Sequence, residues 1–113
     1  MSRLLFAVVL LAMLASSAFA VLPDKDEPQR TLVLIRHGEY DSDDESDPDV
    51  GRHLVTLGKQ QARLVAARLR AMPIEWTSIQ ASAMSRARET GAIIAEYFPG
   101  LELAIHRDIR ECT

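Results

Sequence analysis

The chain has 113 residues, 48% of them hydrophobic and 26% charged, with 13 basic residues against 16 acidic ones and a formal net charge of −3 at pH 7. That is enough for one small domain, and the acidic balance excludes a general nucleic-acid binder, which needs a basic footprint. The single cysteine, Cys112, excludes an internal disulfide and reads as a passive thiol.

Met1, Ser2 and Arg3 give a short basic start, Leu4 to Ala15 an apolar core, and Ala18-Phe19-Ala20 a small-x-small cleavage triplet. This predicts a signal peptide over residues 1–20 and therefore a secreted or periplasmic protein. The alternative is an uncleaved membrane anchor over residues 4–22. Val21 to Arg30, with two prolines, reads as a linker over 21–30, so the domain is expected over 31–113.

Thr31 to Ile35 is predicted as the first strand, since Leu32, Val33, Leu34 and Ile35 form a run without alternation, as a strand covered on both faces does. It ends on Arg36-His37-Gly38, at the carboxyl end where open α/β sheets bind ligands. Glu39 to Arg52 is an acidic loop, with Asp41, Asp43, Asp44, Glu45, Asp47 and Asp49. It reads as a mobile, solvated excursion and fails as a calcium loop: counted from Asp41, the glycine position is Ser46 and the bidentate acid position is Arg52.

Thr56 to Met72 is predicted as a helix burying Leu57, Ala62, Leu64, Val65, Ala66 and Leu69, and Pro73 stops it. Trp76 to Ala81 is a second strand, with Ile79 in the core and Trp76 packing at its entrance. Ser82 is the predicted N-cap of a second helix whose buried stripe is Ala87, Thr90, Gly91, Ile94 and Phe98, ended by Pro99-Gly100. Leu101, Leu103 and Ile105 alternate with polar or small residues, which predicts a third strand covered on one side.

The order β-α-β-α-β predicts a parallel sheet with ligand loops at the strand ends. A second cation, Arg86, falls in the first turn of the second helix, where its charge opposes the helix dipole. A bound phosphate would explain that placement, because helix N-termini already favour anions.

Four segments in order resemble the histidine phosphatase superfamily, the phosphoglycerate mutase-like proteins. They are Leu34-Ile35-Arg36-His37-Gly38-Glu39; the helix start from Leu54 to Ala62, with Val55 where threonine is usual; Ser82 to Thr90, with Ala83 in place of a second serine; and Ile109-Arg110-Glu111. Within the superfamily, Arg52-x-Leu54 and Met84-Ser85-Arg86-Ala87 are most similar to the mitochondrial protein serine/threonine phosphatases of the phosphoglycerate mutase family. The resemblance implies a three-layer α/β/α fold with a parallel sheet, of which the C-terminal part is missing. It also implies phosphomonoester hydrolysis through a phosphohistidine, with phosphoserine or phosphothreonine of proteins as the expected substrate.

The residues suit that chemistry. A neutral imidazole, His37, can attack phosphorus and split hydrolysis into two displacements. Arg36 and Arg86 are placed to stabilise the phosphoryl oxygens, and Gly38 lets the backbone approach them. By family matching Glu111 is the acid that protonates the leaving group. The scheme requires no metal and no cofactor. The expected partner is a phosphorylated protein or a small phosphomonoester; no nucleic acid is expected, and a membrane only if the N-terminal segment is uncleaved.

Each of these residues also has a plainer role. Arg36-His37 could be a polar strand end paired with Glu39 or Asp41, Arg86 a surface ion pair with Glu89 or with an acid of the long loop, and Glu111 a solvated terminal residue. His53 and His106 read as structural or exposed. The family's second histidine follows a later strand, and His106 does not match it, so the chain is expected to be the N-terminal part of a longer domain or a truncated product. Three alternatives stay open: an inactive phosphate- or phosphopeptide-binding module, a small-molecule phosphatase or mutase-type enzyme, and an acidic-loop protein binding cations or basic partners.

Overall fold

A computed structural model of the protein describes residues 28–47 and 50–110. The expected signal peptide, Glu111 and Cys112 lie outside the described residues. The chain divides into two units between Val33 and Leu34. Residues 28–33, the described part of the first, are exposed and carry no regular structure.

Among its described residues the second unit holds four regular elements: α1 (Thr56–Ala71), β1 (Ile79–Ser82), α2 (Ser85–Ala95) and β2 (Leu103–His106). β1 and β2 pair in parallel, with Ile79 opposite Leu103 and Ser82 opposite His106, so the connection through α2 is the expected β-α-β crossover. α2 packs on both strands and α1 packs on α2.

The helix contact follows from small side chains. Gly58, Ala62, Ala66 and Leu69 are the buried residues of α1, spaced so that they form one stripe. Ala66, Leu69 and Ile94 form the core, with Val65, Met72, Trp76, Tyr97 and Phe98 packed around them. Trp76 does pack at the entrance to the second strand, and its Nε1–H donates to Leu69 O at 3.1 Å, satisfying a carbonyl at the end of α1. Arg68 and Arg70 in the last turn complement the helix dipole, and the chain leaves the helix at Met72 in extended backbone before Pro73.

Several expectations are corrected. Residues 31–35 form no strand, and Leu32 and Leu34 are 77% and 86% exposed. An apolar run announces a need for burial but does not supply a ladder partner, and among the described residues the two strands pair with each other. Leu57 and Leu64 point to solvent, because the helix is turned so that its alanines face α2. β2 is barely covered: Leu103 is half-buried and Ile105 exposed. α2 starts at Ser85 and not after Ser82, with Met84 in the cap position and no side-chain cap. Ser82 closes β1, where its Oγ accepts the Met84 N–H at 3.2 Å. The helix also ends earlier than the stripe through Phe98 suggests, at Ala95.

The acidic loop is closed at its base. Tyr40 and Leu54 form an antiparallel bridge, and Asp41 N–H donates to His53 O at 3.0 Å. Its aspartates act as acceptors for the loop's own backbone. Asp41 takes Asp43 N–H (2.9 Å), Asp44 takes Ser46 N–H (2.9 Å) and His53 N–H (3.0 Å), and Asp47 takes Val50 N–H (3.1 Å). Short carboxylates suit this because they mimic a backbone turn. Gly51 turns the chain back with φ +83, a conformation costly for any residue with a Cβ.

Candidate active site

Two glycines set the position of the Arg36-His37-Gly38 segment. Gly38 and Glu39 lie against Gly58 in the first turn of α1 so closely that a Cβ at either glycine would run into the opposite backbone. Glu39 then anchors the loop to the helix, its N–H donating to Gln61 Oε1 at 2.8 Å and its carbonyl accepting the Val55 N–H at 3.1 Å. The glycine in the helix start, unfavourable by propensity, is what lets the loop come this near.

His37 is half-buried, and both ring nitrogens are engaged. Nδ1 is 2.8 Å from Gly38 O, and Arg86 Nε is 3.2 Å from Nε2. A carbonyl can only accept and a guanidinium can only donate, so the two contacts together assign one tautomer: the proton on Nδ1, the lone pair on Nε2. Tyr40 backs both partners. Its ring meets the imidazole edge-on at 5.2 Å between centroids, and the Arg86 guanidinium carbon lies 5.0 Å from its centroid.

Arg86 rides on the first turn of α2, as the sequence predicts. The Glu89 carboxylate is taken by His53 Nδ1 and by the Leu54 N–H at 2.8 Å. This pairing holds the end of the acidic loop to α2. It raises the His53 pKa above its ordinary 6.5, the Glu89 hydrogen bond being the main cause and its charge the next. At the other end of the loop, hydrogen bonds from Ser46 and from the His53 backbone lower Asp44 to about 2.

A cavity of about 160 Å³ is lined by His37, Ser82, Met84, Arg86, Ala87, Ile109 and Arg110. A larger one of about 470 Å³ is lined by Asp44, Glu45, Asp47, Gly51, Arg52, Met84 and Arg86. Met84 and Arg86 line both, so they stand between the imidazole and the acidic loop. Of the sequence-selected residues, the structure brings His37, Gly38 and Arg86 together. Arg36 is exposed and is not among the residues lining the smaller cavity. Arg110 and Tyr40 are additions. The first stands beside Glu111 in a segment already singled out, and the second is the aromatic residue that follows Gly38-Glu39, so both were within reach of closer reading. Among the described residues no group of three His, Cys, Asp or Glu side chains is arranged to hold a metal ion.

A histidine and an arginine meet beside a parallel β-α-β unit, and sequence comparison gives the family. Residues 32–113 match the model of the histidine phosphatase superfamily (branch 1), and the chain belongs to that superfamily. It is 41% identical over 76 residues to the mitochondrial serine/threonine-protein phosphatase Pgam5 of Caenorhabditis briggsae, covering 67% of this chain and 25% of that protein. It is 37% identical over 87 residues to the mitochondrial PGAM5 of Xenopus tropicalis, covering 77% of this chain and 31% of that protein. The chain thus spans a quarter to a third of the length of these relatives.

Among solved structures it is similar to a SixA from Agrobacterium tumefaciens, with TM-score 0.57, 20% identity, and 65% of this chain and 47% of that one covered. It is similar also to the protein histidine phosphatase SixA complexed with tungstate, with TM-score 0.55 and 24% identity over 66% of this chain and 47% of that one. The fold is therefore the expected phosphoglycerate mutase-like α/β fold, seen here in part.

The expectation of a secreted or periplasmic protein, or of one anchored by residues 4–22, is corrected by the relatives, which are mitochondrial proteins. An apolar segment behind a basic start reports hydrophobic length and charge, and these do not by themselves select one compartment. No helix among the described residues is long and apolar enough to cross a membrane.

Proposed function

We propose that this chain carries the nucleophile-bearing part of a phosphomonoesterase acting through a phosphohistidine on His37, with phosphoserine or phosphothreonine of proteins as substrate. The observation that carries the reading is the pair of contacts on one imidazole: Nδ1–H on Gly38 O, and the Nε2 lone pair facing the Arg86 cation. An imidazole held in that tautomer has its nucleophilic nitrogen turned toward the group that would bind the phosphoryl oxygens.

In the proposed first step a phosphomonoester enters the cavity and the Arg86 guanidinium transfers its hydrogen bonds from Nε2 to the phosphoryl oxygens. The freed lone pair forms an N–P bond while the P–O bond to the leaving group breaks, and the departing alkoxide takes a proton from Glu111. In the second step water attacks phosphorus and gives a proton to the Glu111 carboxylate. The P–N bond breaks with its electron pair returning to Nε2, and inorganic phosphate leaves. Charge on the equatorial oxygens is met by Arg86 and by Arg36, which must swing toward the anion from its exposed position.

The protein substrate is favoured by two features. The relatives that match are named serine/threonine-protein phosphatases. The cavity beside His37, at about 160 Å³ and with Met84, Ala87 and Ile109 as apolar walls, is smaller than the roughly 300–1,000 Å³ of sites that enclose a whole small ligand. It suits a phosphoryl group on a short side chain with the rest of the substrate outside. The test is hydrolysis of a phosphothreonine peptide beside an aryl phosphate. Turnover of both, abolished in His37→Ala, is expected. Stoichiometric phosphate binding with no turnover would instead make the chain a binding module.

A further inference from the structure

We infer that Thr90 is a positioning residue for His37, setting the imidazole against Arg86 through a single buried hydroxyl; this rests on the phosphatase reading for its kinetic consequence and on geometry alone for its structural one. Thr90 is 5% exposed. Its Oγ1 donates to the carbonyl of Arg86, one helical turn earlier, at 2.7 Å, and accepts the backbone N–H of Gly38 at 3.0 Å.

The direction of these bonds is fixed by chemistry. A threonine hydroxyl has one proton and two lone pairs. With the proton committed to the i−4 carbonyl, only lone pairs face away from the helix, and the Gly38 N–H meets one of them. The β-branched side chain is stiff about χ1, so the oxygen stays where the helix puts it.

The consequence is a two-point attachment. The peptide that follows His37 is tied to Thr90 at one end of a helical turn, and the imidazole meets Arg86 at the other end, about 6 Å away along α2. One contact alone would let the segment pivot. Two fix both the position of the backbone and the bearing of the ring along the same rigid turn. The close contact of Gly38 with Gly58 holds the segment against α1, and the Thr90 hydroxyl adds its tie to α2.

The experiment compares Thr90→Val, which keeps the shape and removes the hydroxyl, with Thr90→Ser, which keeps the hydroxyl. Two readouts are taken on the whole chain: steady-state hydrolysis of an aryl phosphate, and 15N NMR of the His37 ring. Thr90→Val should lose on the order of 10²-fold in kcat with KM little changed, because the nucleophile and not the anion site is displaced. The His37 nitrogens should move from a fixed Nδ1–H pattern toward tautomer averaging. Thr90→Ser should restore both.

Should Thr90→Val not fold, Thr90→Ala, which leaves room for water at the Gly38 N–H, takes its place in the same comparison. Wild-type kcat and an unchanged ring spectrum in the hydroxyl-less variant would overturn the inference, and so would equal impairment of the serine variant. If the wild type hydrolyses nothing, the phosphatase reading fails by itself. The ring spectra still decide for Thr90: averaging confined to the hydroxyl-less variant supports it, and no change rejects it.

Discussion

Arg86 donates from Nε to Nε2 of His37 at 3.2 Å, so the cation proposed to bind the substrate and the atom proposed to attack it share one hydrogen bond before any ligand arrives. Residues 49 apart in sequence meet there because α2 carries Arg86 in its first turn while the Gly38–Gly58 contact brings the histidine segment against α1. Removing the guanidinium takes away an oxyanion donor and the ring's partner together. Arg86→Ala should lower kcat by about 10²- to 10³-fold, the range for deleting one transition-state donor. Arg86→Lys should recover only part, because an ammonium cannot reproduce the planar fork that passes from the ring to the phosphoryl oxygens. Steady-state kinetics on an aryl phosphate reads both.

The His53–Glu89 pair makes a pH-dependent tie between the acidic loop and α2. Because the folded His53 pKa is raised above 6.5, its contribution is fully present below 6.5 and is lost as pH rises through the raised value. Asp44 works in the opposite sense. Its pKa is lowered from 3.8 to about 2, so its contribution is present above 3.8 and lost as pH falls through about 2. An NMR titration of the His53 ring should give a midpoint above 6.5 in the wild type and one close to 6.5 in Glu89→Gln. An unchanged midpoint in the variant would remove Glu89 as the cause.

Val55 occupies the N-cap of α1 with extended backbone, φ −80 and ψ 170, and makes no capping bond. The backbone is already suited to a cap, so Val55→Thr needs no rearrangement to offer an oxygen to the open N–H groups of the first turn. A gain of about 1 kcal/mol is expected from chemical denaturation, seen as a higher midpoint at constant slope. No gain would mean that the site cannot orient a hydroxyl.

Ser85 is fully buried, and its Oγ has no hydrogen-bond partner among the described residues. Its backbone is well held, the N–H donating to Val50 O at 2.8 Å. A buried unsatisfied hydroxyl costs more than the methyl that could replace it. Ser85→Ala should therefore be neutral or stabilising by up to about 1 kcal/mol in the same denaturation experiment. A loss of stability would reveal a partner for the oxygen.

The parts of the molecule that were legible in the sequence are those set by short-range chemistry. The alanine stripe and Pro73 delimit α1 within a residue, and the alternation after Pro99-Gly100 locates β2. The pairing of His37 with Arg86 was legible through the placement of a cation where the helix dipole opposes it. What was not legible depends on neighbours. The run Leu32–Ile35 looks like a buried strand from composition, yet burial requires a ladder on each side, and composition cannot say where that ladder is. Leu57 and Leu64 fit the helical period as well as the alanines do, and only the close approach of α2 decides which face turns inward. Ser82 lost its capping role because β1 runs one residue further than its apolar residues suggest. Thr90 was visible only as a stripe residue, since its hydroxyl has meaning only once Gly38 is seen beside it.

The most direct measurement of the central claim is trapping of the chain by denaturation in alkaline detergent after brief exposure to a 32P-labelled phosphomonoester. The account predicts one labelled group per chain, stable to base and labile to acid as a phosphoramidate is, mapped by fragmentation to His37 and absent in His37→Ala. Label that survives in His37→Ala, or that is found on another residue, would contradict it.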